Sequence, residues 1–135
     1  MTQEEKELLL QDLCARLPYG VKVTTTNPAV KIGIISGISI KNKISVETKH
    51  ANIVFDCTEV KPYLRPMSSM TEEEEKEYIN IDNRSYSCPM AYAHIPASAR
   101  IDWFNAHHFD YRGLIEKGLA IGVTEENNPY KTEQS

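Results

Sequence analysis

No stretch of this 135-residue chain is apolar for the roughly 18 to 20 residues that a bilayer-spanning helix requires. The longest candidate, "KIGIISGISI", is broken by Gly33, Gly37 and two serines. The start, "MTQEEKELLL", has neither the basic opening nor the cleavage site of a secretory leader, so a cytoplasmic protein without membrane attachment is expected. Cysteine is sparse: Cys14, Cys57 and Cys88 are odd in number, far apart and free of any CxxC spacing. That excludes a disulfide framework and implies reduced thiols, with Cys14 and Cys57 expected as small buried hydrophobes. GxGxxG and GxxxxGK[ST] are both missing, which removes the usual glycine-built nucleotide cradles. Aromatic rings are also scarce where they would matter. Phe55 is the single one between Lys22 and Lys61, too few for a base-stacking platform.

What is present reads as one soluble α+β domain, with 41% hydrophobic and 25% charged residues. Thr2 and Glu5 have capping-box spacing, and Leu9, Leu10, Leu13, Cys14 and Leu17 recur at helical intervals until "LPYG" stops the helix. Four β-branched runs follow, "GVKVTT", "VKIGIISGISI", "KISVETK" and "ANIVFDC", separated by short turn-like segments. Gly33 and Gly37 inside the second run suggest a bulge or tight bend. Short consecutive strands of this kind predict a small antiparallel, SH3-like β-barrel or a bent sheet, capped by the first helix. Pro62 and Pro66 then predict an extended segment leaving the sheet. Thr71 and Glu74 repeat the capping-box spacing, for a helix over Glu72 to Asn80 whose acidic run reads as a solvated first turn. Residues 81–97 read as a loop and 98–107 as a third helix. "DYRGLIEKG" reads as a further helical turn capped by Asp110 and ended by Gly118. The expected domain covers 1–123: helix to 18, barrel over 20–61, a mainly helical part over 62–123, then a loose tail over 124–135.

Charge is unevenly placed. Between Gly20 and Pro66, Lys22, Lys31, Lys41, Lys43, Lys49, Lys61 and Arg65 face three acids, a local charge of +4 within a chain of net charge −4. These seven residues are the nucleic-acid candidates, through salt-dependent backbone contacts. The alternative is that the basic and acidic parts attract each other, or that the lysines are solvated strand edges, and it is the preferred reading.

"KPYLRPMSSMTEEE", followed by "DWFNAHHFDYRGLIEKGLA", resembles a family of small phage, prophage and mobile-element proteins of Bacteroidales-type gut bacteria. The opening "MTQEEKELLLQDLCARLPYGVKV" fits the same pattern, so the resemblance covers most of the chain. After "GLA" the chain departs from the family, whose acidic, proline-containing tail is replaced here by "IGVTEENNPY". The resemblance implies a mobile-element context and brings no mechanism.

The densest chemical cluster is His107, His108, Asp110 and Arg112. Adjacent histidines point in different directions on a helix, and the spacing of Cys88, His94 and His107 matches no compact zinc pattern, so neither metal nor cofactor is expected. Asp110 could orient a histidine base, but a nucleophile would have to come from Ser85, Ser87, Cys88 or Ser98, and nothing resembles a nucleophile elbow. Arg112 could be a fork for a phosphate or carboxylate, or an anchor paired with Asp110. The preferred reading is a structural corner, with a histidine capping the third helix and no catalytic residue assigned. The functional expectation is therefore a non-enzymatic interaction module with a protein partner or self-association. Nucleic-acid binding comes second, and a small enzyme or anionic-ligand binder third.

Overall fold

The protein is described by a computed structural model covering residues 2–39, 41–86 and 99–130, without the side chains of 81–86 and 99. The first helix, α1 (Gln3–Arg16), opens with the expected capping box: Glu5 N–H donates to Thr2 Oγ1 at 3.1 Å and Thr2 N–H to Glu5 Oε1 at 2.9 Å. It ends where Pro18 enters a 3-10 turn and Gly20 takes a φ of 68°, a left-handed value that costs glycine nothing. The buried face differs from the expected stripe. Leu9, Asp12, Leu13 and Arg16 point inward, while Cys14 is exposed. The expectation that Cys14 is buried is thus corrected: Asp12 and Arg16 neutralise each other one turn apart, so this charged side of the helix can be the inner one. Cys57 is buried as expected.

Five strands follow in the order of the chain: β1 (Lys22–Thr25), β2 (Gly33–Ile38), β3 (Lys43–Glu47), β4 (Asn52–Asp56) and β5 (Val60–Leu64). β1 to β4 sit where the β-branched runs place them. Neighbours pair antiparallel, and β1 pairs with β5. The last strand, β6 (Ile121–Gly122), was not foreseen and lies parallel to β5. The result is one six-stranded mixed sheet of order β4-β3-β2-β1-β5-β6. It is not closed into a barrel, because among the described residues β4 has a neighbour only on its β3 side.

Two further expectations change. The proline-flanked segment does not leave the sheet but forms β5. Thr26 N–H bonds to Glu59 O, which fixes the alternation so that the missing donor of Pro62 points away from β1. On that other side β6 pairs only with Tyr63 and Leu64, so no ladder bond is lost there. The second helix, α2 (Glu72–Tyr86), runs past Asn80, and α3 (Ala99–Ala106) follows. The register of β2 against β3 shifts between Ile35 and Gly37, the bulge anticipated from the glycines. A Cβ at Gly33 would collide with Val46 Cγ1 and stand 3.1 Å from Glu47 O, so this glycine lets two strands approach.

The main core lies between the inner sheet face and α1. Val23, Ile35, Ile44, Val46, Phe55 and Leu64 meet Leu9 and Leu13, each worth about 2 kcal/mol of burial. Leu114, Leu119 and Ala120 close it from the C-terminal part. A second, aromatic cluster of Trp103, Phe104 and Phe109 binds α3 to Tyr78 of α2.

Candidate functional site

The end of α3 fixes the geometry of the histidine cluster. His108 N–H donates to Asn105 O, Phe109 N–H donates to Phe104 O, and His108 sits at φ 63°. This is a Schellman stop with histidine where glycine is usual. The hydrophobic contact that accompanies such stops is present, Phe104 meeting Phe109 edge-on. The helix is therefore capped by backbone bonds, not by a histidine side chain as expected. The same reversal sends the two imidazoles apart.

His107 packs on the Trp103 ring at 4.3 Å, with Glu74 and Glu77 at 3.7 and 3.8 Å from its nitrogens. His108 lies flat against Tyr130, 3.8 Å away. Burial, helped by the charges of Arg16, His107, Arg65 and Lys22, lowers its pKa to about 4, so it is neutral at pH 7. Its Nδ1 is buried without a partner among the described residues. Asp110 is a cap, accepting from Leu114 N–H at 2.9 Å and Ile115 N–H at 3.0 Å. Arg112 is not its partner. Arg112 Nε stands 3.2 Å from Asp12 Oδ1, without the alignment of a hydrogen bond, and Nη2 reaches the Tyr111 hydroxyl. Asp12 in turn holds Arg16 Nε at 2.7 Å, and Arg16 Nη2 donates to Phe109 O at 2.6 Å. Both Asp12 and Arg16 are fully buried.

Arg65, a nucleic-acid candidate, belongs to this corner as well. Its guanidinium forms a two-pronged pair with Glu74, both bonds 2.7 Å, and lies over the Phe109 ring. The Arg65 hydrogen bonds hold the Glu74 carboxyl down at about 2. The backbone of Arg65 brackets the same turn, its N–H donating to His108 O and its carbonyl accepting from Asp110 N–H. An open cleft of about 620 Å³ runs past Arg65, Ser69, His107, His108, Glu125 and Tyr130. Of the four expected anion residues, only the two histidines line it. Asp110 and Arg112 are committed elsewhere. Sequence reasoning missed Tyr130, Glu74 and the Asp12–Arg16 pair. The last had a visible signal, an Asp and an Arg four residues apart between the core leucines.

The other six basic candidates fall on the outer sheet face and its turns. Lys31, Lys41, Lys43, Lys49 and Lys61 are exposed. Lys22 Nζ donates to Pro129 O, and Lys43 stands 3.5 Å from Asp56. Pairing puts Lys22, Ile34, Glu47 and Asn52 in one row across this face and Lys43 beside Asp56 in another, so acids interrupt the lysines. The one ring of this segment, Phe55, is buried. Cys88 and His94 lie outside the described residues, and among those described no three His, Cys, Asp or Glu gather to hold a metal ion.

At the sheet's margin, β4 presents an edge that no other strand pairs among the described residues. Thr48 N–H bonds to Ala51 O and Cys57 N–H to Asn42 O, so odd-numbered residues of β4 face β3. Asn52, Val54 and Asp56 therefore direct their backbone groups outward. Val54 is 63% exposed, the most exposed large apolar side chain among the described residues. Compared with protein-family models, curated proteins and solved structures, the chain matches none.

Proposed function

We propose that the protein is a non-enzymatic interaction module, a cytoplasmic accessory protein of a phage or other mobile element, that docks a protein chain along the edge of β4. The mobile-element setting is supported by the motifs around Tyr63 and Trp103, and the cytoplasm by the free thiols of Cys14 and Cys57. An SH3-like reading of the sheet is supported by the meander from β1 to β4, the return of β5 to β1 and the 3-10 turn Cys57–Glu59 between β4 and β5. Fold alone assigns no activity.

One observation carries the docking reading. Among the described residues β4, "NIVFD", is an open edge with Val54 outward, and it lacks the lysine, proline or bulge with which sheet edges are blunted. Extended segments add to such edges by main-chain hydrogen bonds. The test is affinity capture with tagged protein in element-carrying cells, with nuclease treatment, comparing wild type with Val54→Lys and with Lys41, Lys43 and Lys49 changed to Glu. A nuclease-resistant protein partner, an untagged copy of the chain included, that is lost with Val54→Lys supports the reading. Capture abolished by nuclease, or lost only on lysine reversal, contradicts it.

Nucleic-acid binding ranks second, favoured by the exposure of Lys31, Lys41, Lys43, Lys49 and Lys61. The interleaved acids and the engagement of Lys22 and Arg65 set it lower. It requires a gel shift at low salt that collapses at moderate salt. A small enzyme or anionic-ligand site has less support, since Asp110 and Arg112 do not reach the histidine-lined cleft.

A further inference from the structure

We infer that the chain seated on β4 is a second copy of the protein, paired antiparallel across a two-fold axis through Val54, so that two sheets join edge to edge. This rests on the docking reading and names its partner.

The outward groups of β4 are self-complementary. A two-fold axis at Val54 sets Val54 opposite Val54 and Asn52 opposite Asp56. An antiparallel hydrogen-bonded pair exchanges two bonds, so the two valines supply one N–H and one carbonyl each. Asp56 N–H is held by Glu59 Oε2 at 3.0 Å, at the place the facing Asn52 carbonyl takes, so pairing turns that carboxylate out to water. Asn52 and Asp56 then exchange two bonds in each half, Asn52 N–H to the Asp56 carbonyl and Asp56 N–H to the Asn52 carbonyl. Donors and acceptors match in both halves once Glu59 has moved.

The side chains agree with this register. Like charges directly opposite would oppose pairing, and none arises, since the charged Asp56 meets a neutral amide. Asn52 Oδ1 accepts from Ser36 Oγ at 3.3 Å, so its NH2 remains to donate toward the facing carboxylate. Lys43, 3.5 Å from Asp56, balances that charge from within each sheet. Val54, otherwise 63% exposed, buries against its own copy. On the inner face Ile53 and Phe55 come opposite each other and continue the two cores. Isologous pairing of this kind closes on itself as a dimer and leaves no free β4 edge for fibre growth.

Sedimentation of the full-length protein over a range of concentrations, with three variants, tests this. Wild type is expected to sediment as a dimer. Val54→Lys, which places two like charges on the axis, is expected to raise the dissociation constant at least about ten-fold. Ile79→Lys, changing an exposed residue of α2, leaves the dimer intact. In a Cys14→Ser background, Val54→Cys is expected to form an inter-chain disulfide located by mass spectrometry. Paired Cα atoms about 5.5 Å apart lie within disulfide reach. Wild type that stays monomeric up to about 1 mM overturns the inference, as does a dimer that survives Val54→Lys. If it falls while Val54-dependent capture of a different protein persists, the docking reading stands; if that capture is also missing, both fall.

Discussion

The Tyr130 hydroxyl donates to the Tyr63 carbonyl at 2.7 Å and accepts from Lys22 N–H at 2.9 Å. Lys22 and Tyr63 belong to β1 and β5, and by the register of those strands they would bond directly. A side chain from the far end of the chain stands in the ladder instead. Residues 124–130, expected to be loose, are therefore anchored, with Lys22 Nζ on Pro129 O and His108 stacked on the ring. Burial raises the Tyr130 pKa, so the hydroxyl keeps its proton and remains a donor.

Tyr130→Phe should consequently leave an N–H and a carbonyl without partners at one strand junction. A loss of about 1 to 3 kcal/mol in urea unfolding is expected. A change within error would mean that β1 and β5 close directly when the hydroxyl is absent.

Glu74→Gln removes the countercharge from Arg65, whose side chain is 22% exposed. Because the folded carboxyl titrates at about 2 instead of 4.5, its contribution is complete above pH 4.5 and is lost as pH falls toward 2. At most about 3 kcal/mol is involved. Urea midpoints across that window should fall more steeply for wild type than for Glu74→Gln, and parallel curves would remove the pair as a source of acid lability.

The opposite case is His108, a base held neutral. The unfolded chain takes up this proton near pH 6.5, while the folded chain refuses it until about pH 4, so stability declines as pH falls between these values. In an NMR titration the His108 ring is expected to show a midpoint near 4, and His108→Asn should flatten the stability curve in that interval. A midpoint near 6.5 would mean that the ring is solvated.

Asp12→Asn strands the fully buried Arg16 and is expected to cost about 3 to 5 kcal/mol. Replacing both, as Asp12→Leu with Arg16→Met, should cost less than the sum of the single changes, since the second no longer leaves a lone charge. Additive losses would show that the two side chains act independently.

How far the sequence disclosed all this depends on distance along the chain. The first helix and its cap rest on contacts within a few residues, and the four leading strands and the β2 bulge announce themselves through runs of β-branched residues and the glycines within them, so all of these are legible. Asp110 as a cap is of the same kind, four and five residues from the N–H groups it holds. The contacts that close the fold are not local. Arg16 reaches Phe109, Arg65 reaches Glu74 and the turn at His108, and Tyr130 reaches Tyr63 and Lys22. No periodicity records such partners. The reading of Pro62 erred for the same reason, because whether a proline breaks a strand depends on which side its missing N–H faces. The open sheet edge also escaped, since four neighbouring strands suit a closed barrel as well as an open sheet until β5 and β6 are placed.

Backbone amide exchange of β4 tests the docking edge most directly. Ile53 and Phe55 bond to β3 and should be protected under all conditions, whereas Asn52 and Val54 are protected only when something pairs with the edge. The expected result is slow exchange at Asn52 and Val54 in the associated protein and fast exchange on dilution to monomer. Fast exchange at both amides while the protein sediments as a dimer or holds a captured partner would contradict it.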